Sequence, residues 1–250
     1  MLYIFLPALV LFFAWLLLAP STIIERDTQK KQQQHKELRN EGCRATSTSV
    51  ALEYFLSTPL QDIALADVPG VGEASLKVLF RQNIRTTEQL FGYFLYLGRK
   101  EHAVRAFLRD IIGLQGAQAK QVYDSMTSKA QSVCATGGRG YGSSAASRSH
   151  QPSSSLSTSV AKDVFMSTPL EDISIDQVPG VGSATLPRLT EGNIFSGEAL
   201  FGYFLYLGRD EGSFRQWLKD ALEVHGAPAK KVYESMRDKA DVVCVLGARA

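Results

Sequence analysis

Residues 55–134 recur without insertion or deletion as residues 165–244, and the two copies agree at about 44 of 80 positions. A repeat this long is a whole small domain, because the units of stacked-repeat proteins run only about 20–50 residues. Each copy sits at the small end of what buries an adequate core alone, and pairing with its twin relieves that limit. No segment alternates apolar and polar residues with a period of two; the apolar positions recur at three and four instead. In copy one this predicts helices over residues 60–67 and 73–82, from a cap at Thr86 or Thr87 to Gly98, and over 101–112 and 118–133. The fold class is therefore all-α: two tandem compact five-helix bundles behind an N-terminal hydrophobic helix.

The expected organisation is a hydrophobic segment 1–24, a polar tether 25–54, domain one 55–134, a Gly/Ser-rich linker 135–164, domain two 165–244 and a tail 245–250. Residues 1–24 carry no charged side chain and residues 2–19 are almost continuously apolar, just long enough to span a thin bilayer. A retained membrane anchor is preferred to a cleaved signal peptide, because a basic leading region is missing and Pro20 follows the only small-residue cleavage point. Arg26, Lys30, Lys31, Lys36, Arg39 and Arg44 then place the bulk of the chain on the cytoplasmic side. Over residues 135–161 Arg139 and Arg148 are the only charges, and a coil of about 30 residues reaches on the order of 30 Å, enough for the copies to pack together or work apart.

The formal net charge is only +2, so composition gives no nucleic-acid signal; its distribution says more. Residues 55–134 hold nine basic against seven acidic side chains, and residues 165–244 hold eight against twelve. Copy one is the better partner for phosphate, with Lys77, Arg81, Arg85, Arg99, Lys100 and Lys120 as its basic surface. Cys43, Cys134 and Cys244 read as buried thiols, since two of the three occupy one repeat position. His35, His102, His150 and His225 show no metal-ligand spacing. No nucleophile with its base and no carboxylate cluster for a divalent ion is present, so neither an enzyme nor a cofactor is expected.

The motif that carries chemistry is Val68-Pro69-Gly70-Val71-Gly72, repeated as Val178-Pro179-Gly180-Val181-Gly182, each between two short helices. It looks like a helix-hairpin-helix. Glycine permits positive φ and keeps side chains away, so backbone amides of the hairpin and the next helix can approach an anion. Phosphate contacts of this kind position a duplex without reading its sequence, and they are salt-sensitive.

These residues resemble barrier-to-autointegration factor. The likeness runs through Gly70-Val71-Gly72-Glu73, Gly92-Tyr93-Phe94-Leu95 and Ala106-Phe107-Leu108-Arg109-Asp110. It continues in copy two through Phe214-Arg215-Gln216-Trp217-Leu218-Lys219-Asp220. Ala117-Gln118-Ala119-Lys120 and Ala227-Pro228-Ala229-Lys230 match the family's Ala-Asn-Ala-Lys. The resemblance implies non-specific binding of double-stranded DNA through the hairpin and that turn. In copy one it assigns the contacts to Gly70, Val71, Gly72, Ala74, Lys77, Gln118, Ala119 and Lys120. In copy two it assigns them to Gly180, Val181, Gly182, Ala184, Arg188, Ala229 and Lys230. One basic contact position is Val78 in copy one and Arg188 in copy two, while the neighbouring Lys77 becomes Pro187.

The resemblance also implies dimerisation through the third helix, hence self-association of the repeats or of whole chains. The candidate interface is Gly92, Tyr93, Tyr96, Gly202, Tyr203 and Tyr206, which lie in a ten-residue block identical in both copies. Two paired domains bridge two duplexes, which implies chromatin organisation in the nucleus at the nuclear envelope. LEM-domain partners belong to the same family picture, but an apolar groove position falls at Ala103 and Ser213. The competing reading is a protein-interaction or oligomerisation scaffold that uses the same bundles without DNA.

Overall fold

The computed structural model describes residues 48–134 and 158–246. The expected anchor 1–24, most of the tether, linker residues 135–157 and the last four residues lie outside the described residues. Among the described residues, no helix is long and apolar enough to cross a membrane. The same residues form ten α-helices and no strand. Copy one holds α1 (Thr48–Ser57), α2 (Glu73–Arg81), α3 (Thr87–Tyr96), α4 (Glu101–Asp110) and α5 (Gly116–Cys134). Copy two holds α6 (Thr158–Ser167), α7 (Leu186–Glu191), α8 (Gly197–Tyr206), α9 (Glu211–Leu222) and α10 (Gly226–Leu246).

Five helices per copy were expected, but the first of them is a different one. Residues 60–67 form two 3-10 turns, Leu60–Asp62 and Leu65–Asp67, separated by Ile63 in extended conformation. That break lets Leu60, Ile63, Leu65 and Val68 all be buried, which a continuous helix would spread over more than one face. The true first helices, α1 and α6, begin inside the segments assigned to tether and linker, so the domains start earlier than residues 55 and 165. Their apolar anchors are Phe55 and Phe165, both fully buried.

Local chemistry sets the other ends. Thr86 rather than Thr87 caps α3, its hydroxyl accepting from Gln89 N at 3.1 Å while Gln89 Oε1 accepts from Thr86 N at 3.2 Å, a reciprocal cap. Thr87 is buried instead, and its hydroxyl donates to Ile63 O at 2.8 Å, tying α3 to the 3-10 segment. At the far end Gly98 N donates to Leu95 O and Arg99 N to Phe94 O, a Schellman closure with Gly98 at positive φ. The amphipathic α4 turns Val104 and Leu108 inward and its charges outward.

A buried lysine locks each first helix. Lys129 on α5 is fully buried, and its Nζ donates to Phe55 O, Leu56 O and Thr58 O at 3.0, 2.9 and 2.6 Å. Lys239 on α10 repeats this with Phe165 O, Met166 O and Thr168 O. The ammonium satisfies the carbonyls that the end of a helix leaves without partners. Burial lowers both amines from 10.5 to about 8.

The unfolded chain therefore binds more protons than the folded one between pH 8 and about 10.4, and the lysine contribution to stability rises with pH across that window. Replacing Lys129 by Met should lower the unfolding free energy by about 1–3 kcal/mol, because three carbonyls lose their donor. The advantage of the native protein over K129M should then widen as pH is raised from 8 to about 10. Denaturant unfolding of both proteins at several pH values checks this, and a pH-independent difference would contradict it.

Candidate nucleic-acid interface

Both copies lie in one compact unit, and they meet through α3 and α8. A Cβ on Gly92 would lie 2.5 Å from Gly202 O and from Tyr206 N, and one on Gly202 would lie 2.5 Å from Tyr96 N. The helix backbones are in direct contact, which only glycine allows at these two positions. Beside the crossing, Tyr93 faces Tyr206 and Tyr96 faces Tyr203, each pair with ring centroids 5.1 Å apart. Phe107 backs Tyr93 and Trp217 backs Tyr203, both at 4.2 Å. Burial, with the neighbouring phenols, raises the pKa of Tyr93, Tyr203 and Tyr206. Phe94, by contrast, belongs to the core of its own copy.

Charges finish the contact. Arg99, just beyond α3, pairs closely with Glu198 on α8 and stands 3.5 Å from Glu171. Arg209 occupies the matching place beyond α8, where it binds Asp241 of its own copy and lies 3.5 Å from Glu88 on α3. Gln89 Nε2 also donates to Tyr206 O at 3.2 Å. Arg99 was expected on the basic surface; it is half-buried in the interface instead. Both arginines hold positive φ, 58° and 61°, a backbone state uncommon for a residue with a side chain. Burial raises the pKa of Glu198 although Arg99 opposes the shift. Burial also pushes the Cys134 thiol to about 12 and raises that of Cys244; both cysteines are free, and Cys43 lies outside the described residues.

The hairpin and the Ala117–Lys120 stretch come together in space. Gly70 has φ +94°, and a Cβ there would lie 2.9 Å from Gln118 O and from Val122 Cγ2; Gly180 meets Pro228 O and Val232 in the same way. These two glycines are demanded by the fold itself. Gly72 and Gly182 are different: both are exposed, and a Cβ at either would have no neighbouring atom within 4 Å. Gly72 also has an ordinary φ of −102° as the N-cap of α2. Ala74 and Gln118 are exposed beside it, while Val71 and Ala119 turn inward, leaving only their backbone to a ligand.

The cations of the two copies are disposed differently. Lys77 and Arg81 are exposed on the outer face of α2, whereas Lys120 is held by Asp124 at 2.6 Å. In copy two, Arg188 is tied down by Leu222 O and Glu223 O at 3.3 and 3.0 Å and by the Glu223 carboxylate at 2.9 Å. Sequence reading missed this tether because the partners lie 34–35 residues away. Pro187 cannot donate to the preceding turn, so α7 is only the six residues Leu186–Glu191 and residues 183–185 form turns before it. Val181 is half-buried, Gly182 and Ala184 are exposed, Ala229 is buried, and Lys230 is 3.8 Å from Glu234.

Sequence comparison now identifies the source of this paired architecture. A family model for barrier to autointegration factor matches residues 46–133 and again 156–243. The chain belongs to the barrier-to-autointegration factor family. Three of its relatives are about one copy long. Barrier-to-autointegration factor 1 of Caenorhabditis elegans is 31% identical over 86 residues, which is 34% of this chain and 97% of the relative. The Danio rerio protein is 31% identical over 85 residues, 34% of this chain and 94% of the relative. The Homo sapiens protein is 26% identical over 86 residues, 34% of this chain and 97% of the relative. No solved structure gives a significant match.

Barrier-to-autointegration factor proteins are not enzymes, and no cluster of His, Cys, Asp or Glu fit for a metal occurs among the described residues. At the groove position Ala103 is half-buried and Ser213 exposed, so neither supplies a large apolar side chain. For the crossing, Gly92→Ala should destabilise the paired copies by about 1–3 kcal/mol through overpacking, with a larger radius of gyration in X-ray scattering. Gly72→Ala should change neither quantity, and equal effects of the two substitutions would contradict the packing described.

Proposed function

We propose that the chain binds double-stranded DNA without reading its sequence, gripping the phosphate backbone mainly through copy one. The observation that carries this reading is Gly72, an exposed glycine that neither backbone strain nor packing requires. A residue kept bare where the fold has room for a side chain leaves space for something outside the fold. It stands at the start of α2, whose first-turn amides point outward and suit a phosphate oxygen. Lys77 and Arg81 follow on the same helix as exposed cations, and the family relationship supports the same chemistry.

Copy two supports a lesser role on the same argument. Position for position, Lys77, Arg81 and Arg85 give way to Pro187, Glu191 and Phe195, and Arg188 already serves the end of α9. The paired copies would organise chromatin in the nucleus. The uncharged segment 1–24, long enough for a span, would hold them at a nuclear-envelope membrane; removal of residues 1–20 should then release the protein from membranes.

Mobility-shift titration of duplex DNA against salt tests the central reading. The native chain should bind unrelated sequences alike and lose affinity steeply between 50 and 200 mM salt. Gly72→Glu should weaken binding by at least about ten-fold, placing an anion where a phosphate would sit, with stability changed by less than about 0.5 kcal/mol. Gly182→Glu should have little effect. Absence of duplex binding by the native chain at low salt would sink the proposal.

A further inference from the structure

Copy one carries a second basic feature beside the hairpin. The surface between α4 and α5 is concave, enclosing about 800 Å³. From α4 it is lined by His102, Arg105 and Arg109, and from α5 by Gly116 and Ala119. Positions three, four and seven apart share one helix face, so the three basic residues form a ridge along the cavity. Glu101 is the one acid among the lining residues.

The arginines are available to a ligand. Arg105 pairs with Glu101 at 3.0 Å and Arg109 with Asp110 at 2.6 Å, in exposed contacts. Pairs of this kind exchange readily for an incoming anion because they contribute so little in water. Guanidinium forks match phosphate oxygens better than they match a single adjacent carboxylate. The two side chains stem from positions about 6 Å apart along the helix, so both can reach a continuous backbone of phosphates.

The cavity reaches the helix turn against which the hairpin packs. Ala119 lines it from the same turn that receives Gly70 at Gln118 O and Val122. Lys120 is near enough to Glu101 and Arg105 for both to influence its protonation. Hairpin, turn and basic ridge therefore follow one another across the surface of copy one. In copy two the ridge positions read Gly212, Arg215 and Lys219: the two long basic side chains are kept, Arg215 pairs with Glu211 as Arg105 does with Glu101, and His102 has no counterpart.

We infer that the α4–α5 concavity of copy one is a second phosphate-contact patch for the duplex held at the hairpin, with Arg105 and Arg109 taking backbone phosphates. The inference rests on the DNA-binding reading above and extends the contact to a helix outside the hairpin.

The test compares the full-length chain with R105Q/R109Q in duplex binding from 50 to 200 mM salt. Losing two contacts should reduce the slope of log affinity against log salt by about 1.8 and the affinity at 50 mM by about ten-fold. Melting temperatures should stay together, because both arginines are exposed. R105K/R109K should restore most of the slope, since charge rather than packing is responsible. An unchanged slope and affinity in R105Q/R109Q overturns the inference while leaving the hairpin reading intact, and so does a lysine variant as weak as the glutamine one. Failure of the native chain to bind duplex overturns the hairpin reading itself.

Discussion

The close crossing of α3 and α8 at Gly92 and Gly202 is the contact on which the paired structure depends. With no Cβ between them the two backbones touch, and every other interface group is placed by that approach. Tyrosines one turn apart on each helix flank the crossing and meet their counterparts. The arginine beyond the end of each helix arrives at the beginning of the other, where Glu88 and Glu198 stand in the first turn. Each acid sits at the positive end of its own helix and each arginine near the negative end of its own, so the dipoles favour these positions before any pair forms. The pair then spares two buried charges the larger cost of lacking a partner.

Around this shared centre the copies differ in the charge of the face that follows the hairpin. The block 90–99 is identical to 200–209, and it contains the crossing, the tyrosines and the arginines. The outer face of the helix after the hairpin is where charge is lost, from Lys77 and Arg81 to Pro187 and Glu191. Arg188 illustrates how a cation can be kept and still withdrawn from a ligand. Its guanidinium binds the carbonyls at the end of α9, which structural demand alone explains. The contact between the copies and the exposed cations after the hairpin therefore lie on different helices of each bundle.

The parts legible from sequence were those whose signal is local or repeated. The hairpin, the third helix with its glycine and tyrosines, and the all-α class follow from spacing within a few turns of chain. What escaped depends on distant partners or on packing. Lys129 lies in the chain like any surface lysine of an amphipathic helix, and the carbonyls it binds are 71–74 residues away. The first helix of each copy begins in a Thr-Ser pair that reads as the end of a polar segment, and it is fixed by that distant lysine and by Phe55 or Phe165 in the core. Gly70 and Gly72 look equivalent in a Gly-x-Gly motif. Only the volume around each separates a glycine required by the fold from one the fold leaves unconstrained.

Joining the copies covalently changes what the interface has to achieve. In an association of separate chains, pairing competes with dilution, and symmetry gives both partners the same surfaces. In one chain the second copy is present at an effective concentration set by the connecting segment, so pairing no longer depends on protein abundance. Nor are the two outer faces bound to be alike, since a substitution in one copy is not reproduced in the other. The acidic excess of residues 165–244 is what this freedom permits, because it changes the outer charge of one copy without touching the α3–α8 crossing. On the proposed DNA contact, such a chain presents two unequal faces where a symmetric pair of single-copy proteins presents two equal ones.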